Sequence, residues 1–481
     1  MKKLKIGLVG LMHKNFPGNK EIRFKESIES FEELSKKYNF EPYIIRQGVI
    51  IEKDAEIACK KLREQNIDFL MVLNIQFASG RIISTLSKLE IPLGLWALPE
   101  NKKEGPLPNN SFCGMNMNAS ILKEYLVRNN YKWFYGKTNH KWFVNRFAIT
   151  IAALQAIKNM HNSKMLIIGG IADGFDDQYY DERKIYERFK VRILRNLEFD
   201  DVYNRVNSYS TKDIEEIIEK INEDICYKDE LSVKKINKTA CLIKALTDMS
   251  TEMELSAITL NCWPKFRQKL DMVPCAAIGF LNKLGIITAC EGDVYGMLSM
   301  YIIRQLSTLP TLLMDLINFN EDDQSLLFWH CGVGSTDLAY KGDVKLISHS
   351  NPSCIPGCRV IKYAPVADMI YRKGKATVLR ITKEGSQLFL LNGEFINPEK
   401  PSFDGSRGWL NKLRLNNVSI NISDLINTIL IEGVQHHYVI GLGDYSNEIL
   451  EIARWLGIKP IEKIEYHDWS TLKSQSNHRI K

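Results

Sequence analysis

No run of apolar residues in this chain reaches the roughly 18 needed to cross a bilayer, so no membrane-spanning helix and no membrane partner are expected. Blocks of one charge are missing too. Lys and Arg number 64 against 57 Asp and Glu, a net +7, and the two signs are interleaved along the chain, which argues against nucleic acid as a partner. The ten cysteines show no zinc-finger spacing: Cys354 and Cys358 form a CxxxC without a second Cys or His pair. Cys241, Cys262, Cys275, Cys290 and Cys331 lie in apolar segments, the usage of reduced, buried thiols in a cytoplasmic protein. The opening MKKLKIGLVGLM has too short an apolar stretch for a secretion signal and reads as a first strand. Gly7 and Gly10 do not build a GxGxxG, so a dinucleotide cofactor is not expected. Repeats and low-complexity tracts are also missing.

What is present is ordinary globular composition, 45% hydrophobic and 25% charged over 481 residues, which suggests about three domains. Residues 1–160 alternate short apolar runs (Leu4–Gly10, Pro42–Arg46, Asp68–Leu73, Pro92–Ala97) with helical spacing (Lys20–Lys37, Asp54–Glu64), the texture of a doubly wound parallel sheet. Residues 161–340 repeat it with strands at Met165–Gly169, Ala257–Asn261, Gly285–Cys290, Thr311–Leu316 and Leu326–Cys331. Between the third and fourth of these lies Val294–Leu306, a helix apolar almost all round and therefore buried. In residues 341–481 the pattern changes to alternation, as in Thr377–Thr382 and Gln387–Leu391, which predicts antiparallel hairpins. A helix Ser423–Glu432 closed by Gly433, a strand His437–Ile440 and a helix Tyr445–Leu456 closed by Gly457 follow. The expected fold is α/β: two flavodoxin/Rossmann-like parallel-sheet domains, then a C-terminal domain with an antiparallel, barrel-like module.

The chemistry-bearing residues stand at the ends of three successive apolar runs: Glu291, Asp315 and His330. Ligands of open α/β sheets bind beyond the carboxyl ends of strands, and each of these groups is expensive in so apolar a neighbourhood. Two carboxylates with an imidazole suit a hard or borderline divalent ion such as Mn²⁺. Each residue also has a structural reading: Glu291 as the first-turn acid of the following helix, Asp315 as a loop cap, His330 as a hydrogen-bonded core histidine. His436 and His437 open a late strand, where alternation sends neighbouring side chains to opposite faces, so one of the two is expected at a shared site. His349, near a turn, is a weaker candidate.

The segments ACEGDVYG (Ala289–Gly296), LLMDL (Leu312–Leu316), FWHCG (Phe328–Gly332) and GVQHHYVIGLGD (Gly433–Asp444) resemble the L-fucose isomerase / L-arabinose isomerase superfamily. WALPE (Trp96–Glu100) and GPLPNNSFCGMN (Gly105–Asn116) are similar to stretches in its uncharacterised members. The resemblance implies a metal-dependent aldose–ketose isomerase that takes an open-chain monosaccharide through a cis-enediol. It implies Mn²⁺ or another divalent cation, with Glu291 and Asp315 as ligands that also transfer protons. Two further ligands fall on His330 and on His437, with His436 as second choice. A closed homo-oligomer, hexameric or trimer-based, is implied as well. Trp96, Trp263, Trp329 and His436 are the candidate walls of a sugar pocket; as core residues the tryptophans are equally well explained. The Asp at 315 resembles the fucose branch and the histidines the arabinose branch, a mixture that points to a divergent subfamily. Two alternatives stay open: an acidic or sulfo-sugar such as sulfoquinovose, recognised by a cation among Arg46, Arg267 and Arg359, and a non-catalytic sugar-binding or regulatory protein.

Overall fold

The computed structural model describes residues 3–225, 227–228, 231–262, 264–349, 364–396 and 398–469. Trp263, Cys354, Cys358 and Arg359 lie outside them. The chain divides into two compact units, Met1–Asn159 and Met160–Lys481.

The first unit holds five parallel strands, β1 (Lys5–Leu11), β2 (Glu41–Val49), β3 (Phe69–Asn74), β4 (Leu93–Ala97) and β5 (Tyr131–Tyr135), in the order β2-β1-β3-β4-β5. This is the flavodoxin-like doubly wound order. The central strands β3 and β4 are buried throughout, which is why they read as unbroken apolar runs rather than alternation. Helix Lys20–Tyr38 starts where the Asn19 side chain accepts from the Ile22 N–H and stops at Asn39 in the left-handed conformation, φ +55°. Both are ordinary terminus signals.

The second unit combines two sheets. Four parallel strands, β6 (Lys164–Ile168), β7 (Arg192–Leu194), β8 (Ala257–Leu260) and β9 (Thr288–Ala289), lie in the order β9-β8-β6-β7. Six antiparallel strands then close a barrel: β10 (Thr311–Asn320), β11 (Ser325–His330), β12 (Gly374–Thr382), β13 (Gln387–Phe395), β14 (Ser406–Leu415) and β15 (His437–Leu442). The ring runs β10-β11-β14-β13-β12-β15 and back to β10. Closure removes free edges. Leu312, Met314, Leu326, Phe328, Val378, Leu391, Leu410, Tyr438 and Ile440 form its apolar filling.

One expectation needs correction. The runs at Thr311 and Leu326 do not continue the parallel sheet that ends in β9; they open the barrel. Asp315 therefore stands midway along β10, not at a strand terminus. An apolar run shows that a strand is buried but not which strand it pairs with, and the partner here, β15, lies more than a hundred residues later. The buried helix Val294–Leu306 links the two sheets. It packs on the barrel closely enough that a Cβ at Gly441 would stand 2.3 Å from Ile303.

Candidate active site

Two barrel strands supply the first half of the site. Asp315 of β10 and His437 of β15 are direct cross-strand partners, one on each strand at the same level. Along β10, Leu312 and Met314 fill the barrel, so Asp315 falls on the opposite face by the two-residue period. His437 relates in the same way to Tyr438 and Ile440.

The parallel sheet supplies the second half. Just beyond β9, Glu291 adopts a left-handed backbone, φ +62°, and Gly292 continues it at +76°. Such a conformation is rare for a residue with a side chain and is held only by its surroundings. Here the Ala172 N–H donates to the Glu291 carbonyl at 3.0 Å, the Gly292 N–H to Leu260 at 3.1 Å, and the Asp293 N–H to Cys290 at 3.2 Å. A Cβ on residue 292 would meet the Gly170 carbonyl oxygen at 2.3 Å, so the turn requires glycine.

The halves meet at His437. Its Nε2 lies 3.1 Å from Glu291 Oε2 and 3.6 Å from Asp315 Oδ1. His330, the last residue of β11, completes a group with Asp315 and His437 whose ligand atoms all lie within 4.8 Å of one another; Glu291, His436 and His437 form a second such group. Asp315 Oδ1 and His330 Nε2 are buried with no hydrogen-bond partner among the described residues, and His437 Nε2, equally buried, has the Glu291 carboxylate beside it at 3.1 Å. Unsatisfied buried polar atoms are costly, and these three face one small space. Around that space the Glu291 and Asp315 carboxylate oxygens and His437 Nε2 make a donor set that fits a hard or borderline divalent ion.

The tautomer of His437 is set from behind. Its Nδ1 lies 3.0 Å from Asp293 Oδ2 and 3.1 Å from Gln178 Nε2. Asp293 is fully buried and ion-paired to the equally buried Arg380. A carboxylate only accepts, so the Nδ1–H donates to Asp293 and the Nε2 lone pair is turned toward the site. At His330 the relation is reversed: the Cys331 N–H donates to Nδ1 at 2.8 Å, which leaves the ring proton on Nε2.

Charges in the site are strongly coupled. Burial works to raise the Glu291 carboxyl, but His436, His437 and His330 outweigh it and hold it well below the usual carboxylate range. Asp293 is held down in the same sense, with Arg380 and then His437 overcoming burial. Burial works to lower His437, and its contacts with Asp293, Glu291 and Asp315 lift it well above an ordinary histidine.

His436 was expected to point away from its neighbour, yet both imidazoles approach Glu291. His436 Nε2 is 3.9 Å from Glu291 Oε2, while its Nδ1 pairs with Asp177 Oδ2 at 2.8 Å. The strand begins at His437, so His436 is free of the pleat, and Asp177 turns its ring inward. Trp329 stacks beside His330 with ring centroids 6.4 Å apart and donates its indole N–H to the Asp404 carbonyl at 2.7 Å. Trp96 is buried in the first unit, where its indole N–H donates to the Gly136 carbonyl at 2.8 Å. His349 is buried and donates its backbone N–H to the Ala364 carbonyl. Burial pushes its imidazole down to about 4, with Arg267 and His330 adding to the shift.

Residues 7–158 match the family described as fucose/sulfoquinovose isomerase, N-terminal domain. Curated relatives agree along most of the chain. Sulfoquinovose isomerase of Priestia aryabhattai is 24% identical over 83% of this chain and 86% of its own length. The proteins of that name from Alkalicoccus urumqiensis and Clostridium sp. (strain MSTE9) are each 24% identical, over 83% and 81% of this chain and 86% and 85% of their own. The chain is similar to the fucose isomerase-like superfamily, through its N-terminal domain and along most of its length. It is thus a sugar isomerase that interconverts aldose and ketose, with the barrel and the parallel sheet of its second unit meeting at His437. Among solved structures, a galactofuranose-binding protein overlaps 53% of the isomerase and 75% of its own chain at 11% identity, with a TM-score of only 0.16. Four residues of this isomerase had no role assigned from sequence: Asp293, Arg380, Gln178 and Asp177. For Arg380 a signal existed, a lone charge within the otherwise apolar and uncharged Thr377–Thr382. Asp293 lay inside the ACEGDVYG segment, two residues after Glu291.

Proposed function

We propose that the protein isomerises an acidic aldose of the sulfoquinovose type with the help of a divalent cation held by Glu291, Asp315 and His437. The observation that carries this reading is that single atom, His437 Nε2, lying within 3.1 Å of one carboxylate and 3.6 Å of the other. A bound Mn²⁺ or similar ion supplies Lewis acidity to the two adjacent sugar oxygens. Glu291, kept ionised by the surrounding imidazoles, takes the proton from C2 of the open-chain aldose, and Asp315 is its counterpart at C1 and O1. His330 carries its proton on Nε2 and so acts as a donor to a sugar oxygen. The proposal departs at this residue from the four-ligand set that the resemblance implied.

The curated relatives' name favours the acidic substrate over a neutral one. A sulfonate calls for a buried cation, and guanidinium suits it best. Arg46 is on the surface, paired with Glu32. Arg267 is only 8% exposed, and its charge reaches His349 beside His330; we assign the sulfonate to it. Exposed Phe112 and Trp142, linked through Tyr135 and His140, support a homo-oligomer. The free thiols of the described cysteines suit the cytoplasm. No helix among the described residues is long and apolar enough to cross a membrane.

The test is an isomerisation assay of the Mn²⁺-loaded protein on sulfoquinovose beside neutral aldoses and deoxy sugars. Ketose formation that stops with chelator and returns with Mn²⁺ is expected. Binding without exchange of the C2 proton for deuterium would favour the non-catalytic alternative.

A further inference from the structure

Two thiols next to Glu291 have no part in that reaction. Cys290 immediately follows β9 and Cys262 lies two residues beyond β8. The parallel pairing of Thr259 with Ala289 carries both to the same edge of the sheet. Their Sγ atoms are 3.7 Å apart, and both residues are buried, Cys290 almost completely. The two sulfurs and a Glu291 carboxylate oxygen all lie within 4.8 Å of one another.

That separation is informative. A disulfide needs sulfurs about 2.0 Å apart, so these would have to close by more than an ångström and a half. Two thiolates on a tetrahedral zinc, each at about 2.3 Å, stand about 3.8 Å apart. In the cation-free chain the Cys290 thiol donates to Cys262 Sγ at 3.7 Å, and that hydrogen-bonded spacing equals the second case, so an ion could replace the shared proton without moving the sulfurs apart. Two sulfurs with one carboxylate oxygen form a donor set for a thiophilic divalent ion and a poor one for Mn²⁺.

We propose that Cys262, Cys290 and Glu291 form a second cation site, selective for zinc-class ions, that shares Glu291 with the reaction site. Binding expels the two thiol protons to solvent and takes the Glu291 carboxylate away from C2 chemistry, so a thiophilic ion inhibits the Mn²⁺-loaded isomerase. The existence of this site is independent of the proposed reaction; only the inhibition rests on it.

Cobalt(II) is the probe, because thiolate-to-cobalt charge transfer absorbs in the near ultraviolet whether or not the protein turns over. Chelator-treated full-length protein titrated with Co²⁺ should show that band. Asp315→Asn should keep it, Cys262→Ser should lose it, and Zn²⁺ should displace it. In parallel, Cys262→Ser should need at least about tenfold more Zn²⁺ for the same inhibition of the Mn²⁺-loaded protein. Cobalt binding without the band, or an unchanged band in Cys262→Ser, overturns the site. Should Cys262→Ser not fold, zinc X-ray absorption on the unsubstituted protein decides: two sulfurs at about 2.3 Å support the site, and a shell of nitrogen and oxygen alone overturns it. A cobalt band with no sugar isomerisation would leave this site standing and count against the proposed function instead.

Discussion

Asp293 Oδ2 accepts from His437 Nδ1 at 3.0 Å, and Asp293 is only two residues from Glu291. One short segment thus supplies both a carboxylate facing the reaction space and the carboxylate that aims the imidazole into it. The same Asp293 caps the helix Val294–Leu306 by accepting from the Gly296 N–H at 2.8 Å.

Asp293→Asn should therefore weaken Mn²⁺ binding by about 10- to 100-fold, the usual cost of losing a partner behind a metal-binding histidine. It also leaves Arg380 as an uncompensated buried charge, worth about 3–5 kcal/mol of stability. Calorimetric titration with Mn²⁺ and thermal unfolding check the two effects separately. Normal Mn²⁺ affinity would show that Asp293 does not orient His437.

Glu291→Gln and Asp315→Asn should each lower kcat by at least about 10²- to 10⁴-fold, the range of acid–base catalysis, with little change in melting temperature. Steady-state kinetics on the sulfo-sugar are the measurement. Near-normal turnover in either variant removes the role given to it.

Mn²⁺ affinity should rise with pH. Burial works to lower His437, but the carboxylates around it raise it well above an ordinary histidine, so in the cation-free protein a proton competes for the Nε2 lone pair up to a higher pH than on a free imidazole. Ion and proton then compete for one lone pair. One displaced proton corresponds to about a tenfold tighter apparent Kd per pH unit, until pH exceeds the raised value. Titrations at several pH values check the slope, and a flat profile would mean that His437 is not a ligand.

Gly292→Ala should destabilise the protein by more than about 1 kcal/mol, since a side chain is strained at φ +76° and this one also meets the Gly170 carbonyl. The same change displaces Glu291, so activity should fall further than stability explains. Chemical denaturation alongside kcat tests both.

Arg267→Gln should raise KM for an acidic sugar by about tenfold or more while sparing a neutral aldose, because only the former loses a charged partner. Equal effects on both substrates would assign Arg267 a structural role.

Much of this protein was legible locally. The helix Val294–Leu306 was read with the bounds it has, and the terminating Gly433 and Gly457 both adopt the left-handed conformation. These features depend on near neighbours in the chain, through apolar periodicity and the cost of positive φ. Glu291, Asp315 and His330 stood out as polar groups in apolar surroundings, which burial makes expensive wherever the chain goes; His437 was singled out only through the likeness of its histidine pair to the superfamily. The chain order alone left open which sheet each strand would join. Asp315 and His437 become neighbours only because β10 and β15 pair in a closed barrel. Arg380 finds Asp293 through that same closure, and the inward turn of His436 depends on Asp177 from a distant loop. Strand pairing is a long-range choice governed by burial and register, and in this molecule that choice makes one site from three separate stretches of sequence.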